Sequence, residues 1–212
     1  MMLPTKEEWI KALTERHGEE LQQAFSKAVV AICGLGGLGS NIAIALARAG
    51  VGKLILCDFD RVDITNLHRQ QYKADQIGMF KTVALAKNLK EIAPYIELET
   101  HKERITEDNA ITLLKDADII CEAFDDAECK AMLTNTVLTE MRDKYLVAAS
   151  GMAGLNNANR IKTRKITNKF YLCGDEESDA SDGIGLVSSR VMVCAAHEAH
   201  TVLRILAKQF EV

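Results

Sequence analysis

Val29-Val30-Ala31-Ile32-Cys33-Gly34-Leu35-Gly36-Gly37-Leu38-Gly39-Ser40 decides the fold of this chain. A β-branched run leads into closely spaced glycines, and an alanine-rich segment, Asn41 to Ala49, follows. Strand, glycine turn and helix in that order make a phosphate-binding βα unit. Gly34 permits the tight turn, Gly36 and Gly37 let backbone approach a ligand, and Gly39 lets the helix sit close to the strand. The amides opening the helix then face an anion. A second apolar run, Leu54-Ile55-Leu56-Cys57, ends in Asp58, where an acid can hold a ribose hydroxyl.

Outward from this unit the chain alternates strands and helices. Residues 5 to 25 carry a helical stripe of Trp9, Ile10, Leu13, Leu21 and Phe25. Lys81 to Ile92 reads as a helix stopped near Pro94. Strands are predicted at 96–101, 119–121 and 145–149, with helices at 110–114 and 126–141. From Gly151 the pattern changes to a hairpin or meander (160–172), an acidic loop (174–185) and a long helix (186–210). The expectation is an α/β fold: a Rossmann-like, mostly parallel sheet with helices on both faces, extended by antiparallel strands and a C-terminal helix. The whole of 1–212 is read as one domain, with a helical segment (1–27), a nucleotide-binding part (28–150) and a C-terminal part (151–212).

With 212 residues, 48% of them hydrophobic, the chain can bury a real core, and its net charge of −4 gives no footprint for nucleic acid or an anionic membrane. Met1 to Glu8 is too polar and acidic for a signal peptide, and no apolar run is long enough to span a bilayer. A cytoplasmic protein is expected. The six cysteines contain no CxxC pair, which argues against a disulfide framework and a Cys-only zinc site.

Asp58-Phe59-Asp60-Arg61-Val62-Asp63-Ile64-Thr65-Asn66-Leu67-His68-Arg69-Gln70 is more specific than the glycines. Asn66 can bond a sugar or phosphate, and Arg69 can fork onto phosphate oxygens. Lys81 adds a second cation at a helix start. Asp125, beyond the strand ending near Glu122, offers a carboxylate at the edge where open α/β sheets bind ligands.

Together with Gly34–Ser40, residues 49–70 and Phe124-Asp125-Asp126, these features resemble the ThiF/MoeB family, in the ubiquitin-activating-enzyme superfamily. The short chain and Tyr171-Leu172-Cys173-Gly174-Asp175 are most similar to the compact ThiF-type sulfur carrier protein adenylyltransferases of thiamine biosynthesis. The resemblance implies ATP-dependent adenylation of the C-terminal glycine carboxylate of a small β-grasp carrier ending in Gly-Gly, with release of pyrophosphate. It implies that Gly34, Gly36, Gly37 and Gly39 meet the phosphates and that Asp58 holds the ribose, with Asp60 close by. Thr65, Asn66, Leu67, His68, Arg69 and Gln70 wrap the nucleotide, with Arg69 on the phosphates. Lys81 neutralises the leaving pyrophosphate, and Asp125 organises Mg²⁺ with Asp126 beside it. It also implies a homodimer in which Arg16 reaches the partner's triphosphate.

Two departures qualify the resemblance. Many relatives hold zinc with two CxxC pairs. Only Cys173 lies near the first pair here, so no zinc is predicted. Some carry a crossover-loop cysteine that bonds the carrier. Asp175 to Gly185 has none, which argues against covalent transfer there.

Simpler readings stand beside these. Arg69, Lys81 and Arg16 can be solvated surface cations, and Asp125 can cap the helix beginning near Ala127. His197 and His200 read as helix-face residues, and Cys173 has no evident activating base. The rival functions are an NAD-dependent oxidoreductase, a non-catalytic binding subunit, and the same chemistry on a MoaD-like molybdopterin carrier or a modified tRNA base.

Overall fold

The computed structural model describes residues 3–179, 181 and 183–212. Met1 and Met2 of the expected N-terminal segment, and Ala180 and Asp182 of the acidic loop, lie outside the described residues. The elements in chain order are α1 (Lys6–His17), α2 (Glu19–Lys27), β1 (Val29–Cys33), α3 (Gly37–Ala49), β2 (Lys53–Cys57), α4 (Lys81–Ile92), β3 (Glu97–His101), α5 (Glu107–Leu114), β4 (Ile119–Glu122), α6 (Ala127–Glu140), β5 (Tyr145–Ala149), β6 (Lys162–Lys165), β7 (Phe170–Gly174) and α7 (Ser188–Leu206).

The strands form one sheet in the order β3-β2-β1-β4-β5-β7-β6, parallel except for the β6 edge, which runs antiparallel to β7. The predicted α/β, Rossmann-like sheet is therefore present. Alternate strand residues build two cores. Ile32, Leu56, Cys121, Val147 and Tyr171 face α3, α4 and α7, whereas Ala31, Ile55, Ile120 and Leu146 face α5 and α6. Both faces are covered, which is why the central strands read as continuous apolar runs.

Local chemistry sets the element ends. Thr5 caps α1 through a reciprocal capping box with Glu8. The single N-terminal stripe divides at Gly18 into α1 and α2. Asp126 caps α6, with its Oδ1 accepting from the Cys129 amide at 2.8 Å. Five of the six cysteines are buried and all six are free thiols. No helix among the described residues is long and apolar enough to cross a membrane.

Candidate active site

Strand order reverses between β1 and β4: one half of the sheet grows outward from β1 to β3, the other from β4 to β6. The crevice outside the strand C-termini at such a point is where open α/β sheets bind ligands. The loop after β1 and the loop after β4 touch there. Gly34 has φ +92, and a Cβ on it would lie 2.7 Å from the Ala123 carbonyl oxygen. A Cβ on Gly39 would lie 1.9 Å from the Gly34 carbonyl oxygen, so the first turn of α3 is pressed against the strand end. Gly36 is the N-cap of α3 and supplies no side-chain cap, which leaves first-turn amides open to an anion.

Asp58, at the end of β2, fastens this loop. Its Oδ2 accepts from the Leu35 amide at 2.6 Å and its Oδ1 from the Asp60 amide at 2.7 Å. Burial pushes the Asp58 carboxyl up, and Lys81 together with those two amides pulls it back down. Lys81 opens α4, is buried, and places Nζ 2.8 Å from Asp60 Oδ2 and 3.8 Å from Asp58 Oδ2. The cation expected on the phosphates thus rests between two carboxylates on the floor of the crevice.

Arg69 stands differently. Asp63 Oδ1 accepts from both the amide and the hydroxyl of Thr65, which starts a short 3₁₀ turn over Ile64–Asn66. The Asn66 carbonyl then accepts from the amides of Arg69 and Gln70, and Asn66 Oδ1 accepts from Arg69 Nη2 at 3.1 Å. This turn lays the Arg69 side chain across the start of α3, with its Cγ 3.5 Å from where a Gly37 Cβ would be. Arg69 forms no salt bridge among the described residues, and its buried Nε has no partner. Burial pulls its guanidinium below the usual range, and the Asp125 carboxylate opposes that. Gln70 is buried with Oε1 unpartnered, Leu67 packs against the core, and Thr65 and His68 are exposed.

Asp125 is exposed and forms no hydrogen bond or salt bridge among the described residues, because Asp126 performs the capping. Adjacent residues therefore divide the work that sequence alone left open.

Arg16 is not brought to this crevice within its own chain. It is exposed in the last turn of α1. The α1–α2 pair rests at the other end of α3, where Gln22 Nε2 donates to the Gly50 carbonyl at 3.4 Å. The 13 residues of α3 separate the two ends by about 20 Å.

Several supporting residues escaped the sequence reading. Tyr72 donates its hydroxyl to the Leu35 carbonyl at 2.7 Å, and Asn41 Nδ2 donates to the Gly37 carbonyl at 2.7 Å and the Arg69 carbonyl at 3.3 Å. Arg190, buried in the first turn of α7, pairs with Asp175 at the base of the acidic loop. Arg190 also donates to the carbonyls of Asn156 and Asn157. An arginine among the apolar residues that open α7 was the available signal for Arg190, but nothing in the sequence pointed to Asp175 as its partner.

Other candidates lie elsewhere. Cys173 is buried and its thiol is pushed up to about 12 by burial, so it is no ready nucleophile. His197 Nδ1 meets Thr163 Oγ1 at 3.0 Å, while Glu198 points into the core, fully buried, with both carboxyl oxygens unpartnered. Among the described residues no group of three or more His, Cys, Asp or Glu is placed to hold a metal ion.

Comparison with known proteins identifies relatives in sequence and in fold. The ThiF family profile matches residues 11–211. Over 136 residues, or 64% of its length, the chain is 34% identical to an Anopheles gambiae protein named adenylyltransferase and sulfurtransferase MOCS3, covering 30% of that protein. Over 122 residues, or 58% of its length, it is 31% identical to the sulfur carrier protein adenylyltransferase of Thermus thermophilus, covering 45% of it. The chain thus spans about a third to a half of the length of these curated relatives. In fold it is similar to E. coli tRNA N6-threonylcarbamoyladenosine dehydratase, TcdA, solved in complex with ATP: TM-score 0.86, 20% identity, and 98% of each chain covered.

Proposed function

The chain belongs to the ThiF family, and from that premise we propose that it is an ATP-dependent adenylyltransferase acting on the C-terminal carboxylate of a small β-grasp sulfur carrier protein ending in Gly-Gly. The observation that carries this reading is Arg69, a half-buried guanidinium with no salt bridge among the described residues, held across the uncapped start of α3. A cation so placed beside free helix amides is arranged for a polyphosphate. A dinucleotide dehydrogenase has no need of it. The names of the mosquito and Thermus relatives support the same chemistry.

In the proposed reaction a carboxylate oxygen of the carrier attacks the α-phosphorus of ATP. The bond from that phosphorus to the bridging oxygen breaks, and pyrophosphate leaves with the electron pair. The attacking group is already ionised, so no general base is required. The chain's contribution is positioning and charge stabilisation. First-turn amides of α3 and Arg69 would meet the phosphates. Asp58 would meet the ribose while it holds the Leu35 amide, and Lys81 would keep the charge of the floor balanced. Asp125 fits Mg²⁺, which takes one or two carboxylates plus substrate phosphates: it is a hard oxygen donor, exposed and uncommitted. When bound, that ion would offset triphosphate charge. The active form is proposed to be a cytoplasmic homodimer in which Arg16 serves the partner's site.

We place the carrier in the ThiS-like class of thiamine biosynthesis, with a MoaD-like carrier as the competing acceptor. The test is exchange of labelled pyrophosphate into ATP with each carrier, with each carrier lacking its terminal glycine, and with carboxylate-bearing tRNA. The tRNA arm is included because TcdA shares this compact fold. Exchange that requires an intact ThiS-like carrier supports the proposal. Exchange that is indifferent to the terminal glycine, or that requires tRNA, removes it.

A further inference from the structure

Glu122, the last residue of β4, is buried and takes no part in the chemistry proposed above. Its Oε1 accepts from the Phe124 amide at 2.8 Å and from Lys130 Nζ at 3.0 Å, and its Oε2 accepts from the same Nζ at 2.8 Å. Lys130 comes from α6 and is half-buried. Burial pushes the Glu122 carboxyl up, and Lys130 and the Phe124 amide pull it back down.

This arrangement repeats that of Asp58 on the other side of β1. The neighbours of β1 in the sheet are β2 and β4. Each leads into a buried acid that accepts from the amide two residues on and pairs with a lysine of the next α-helix. Asp58 fastens the turn at Leu35, and Glu122 fastens residues 123–126, which join β4 to α6. The Ala123 amide donates to the Cys33 carbonyl at 2.8 Å, the Phe124 amide to Glu122, and the Asp126 side chain accepts from the Cys129 amide. Asp125 alone in this turn is free of such ties among the described residues, so its neighbours' backbone decides where its carboxylate stands. A buried carboxylate is costly unless it is paired and hydrogen bonded. Here both oxygens are used, whereas a glutamine would turn an amide donor toward Nζ.

We propose that Glu122, held by Lys130, is a positioning residue that sets the place of Asp125 at the crevice. This rests on the reading of Asp125 as a Mg²⁺ ligand beside bound nucleotide. A metal ligand carried on a turn needs a fixed backbone, and the groups behind it supply that. Glu122 acts on the amide next to Asp125, while Asp126 secures the helix that follows.

The test uses the full chain and Mn²⁺, which suits the same oxygen donors as Mg²⁺. Affinity for ATP is measured by calorimetry with Mn²⁺ and with a chelator, and the ratio of the two is the contribution of the metal. A general loss of binding cancels in that ratio. It is compared in the wild type, Glu122→Leu, Asp125→Asn and the double variant. The expected ratio falls about tenfold in Glu122→Leu, the lower end for losing a partner behind a metal ligand. Adding Glu122→Leu to Asp125→Asn should lower it no further. The proposal is overturned if Glu122→Leu keeps the wild-type ratio, or if it lowers the ratio by the same factor when Asp125 is already replaced. Should Glu122→Leu fail to fold, Glu122→Gln, which keeps the volume, is judged by the same two comparisons. If the wild type binds no ATP, or Asp125→Asn keeps the wild-type ratio, the nucleotide or metal reading fails. The backbone order parameter of Asp125 in the ligand-free chain then decides the positioning: a fall in Glu122→Gln upholds it, and an unchanged value overturns it.

Discussion

Asp126 caps α6 and Asp125, its neighbour, is left exposed and uncommitted. One carboxylate belongs to the fold and the other is available to a ligand. Asp125→Asn should therefore reduce pyrophosphate exchange by a hundredfold or more (an order-of-magnitude figure for losing a preorganised charge) with an unchanged thermal midpoint. Asp126→Ala should lower the midpoint by a few degrees and spare most activity. Exchange assays and thermal melts of both variants decide this. A large fall in midpoint for Asp125→Asn would assign the structural role to that residue instead.

Lys81 and Asp58 are both buried and lie 3.8 Å apart. Burial raises the Asp58 carboxyl and Lys81 restrains that rise. In Lys81→Met the folded-state value should climb further. An acid whose folded value lies above its unfolded value is penalised as pH rises through the interval between them. The variant should thus be nearly as stable as the wild type at pH 4 and less stable at pH 7.5. The expected loss at pH 7.5 is about 1–3 kcal/mol, below that of a fully buried pair because Asp60, the nearer partner, is half exposed. Denaturant midpoints at the two pH values are the measurement, and a deficit independent of pH would show that Asp58 is not the group involved.

Arg16 lies at the end of α3 remote from its own crevice. Arg16→Ala should weaken catalysis without unfolding the protein. Mixed with Lys81→Ala chains, it should restore about a quarter of wild-type sites if dimers form at random and one composite site works alone. Half of the dimers are then mixed, and each of those has one site with both defects and one with neither. No recovery, with subunit exchange verified by native mass spectrometry, would exclude action across the dimer.

Glu198 is fully buried with no partner for either carboxyl oxygen, and desolvation holds it well above the usual carboxylate range. Its charge bears on the thiols of Cys121, Cys173 and Cys194, while Lys130 opposes its rise and Glu122 adds to it. The folded chain retains a proton that the unfolded chain releases once pH passes the ordinary glutamate value. Its contribution is therefore complete in acid and shrinks as pH rises, by up to about 1.4 kcal/mol per pH unit. Glu198→Gln should flatten the decline in stability between pH 5 and 8. An identical slope in the variant would mean the carboxyl is ionised in the fold.

The sheet was legible because its signals are local. β5 and α4 were expected with the bounds they have, since Tyr145–Ala149 is one apolar run and Lys81–Ile92 is a stripe ended near Pro94. α3 begins at Gly37 rather than Asn41, because glycines of low helix propensity are held in its first turn by close packing on β1. The 3₁₀ turn that aims Arg69 is written in Asp63-Ile64-Thr65-Asn66, where an aspartate accepts from the residue two positions on. The Asp175–Arg190 pair could not be read, since it joins a loop base to a helix start through tertiary packing. The same holds for Arg16, whose distance from the crevice depends on how α1 and α2 dock.

The buried thiols give this protein an internal clock for opening. Cys33, Cys57, Cys121, Cys173 and Cys194 sit inside the core, and Cys129 alone is half exposed. A thiol reagent should modify Cys129 first, and then the other five only as often as the strands and the helix α7 that bury them separate or the chain unfolds. The later labelling reports opening events rather than intrinsic reactivity. Its slowing by a ligand would measure how much that ligand stabilises the sheet, with no need to know the reaction catalysed.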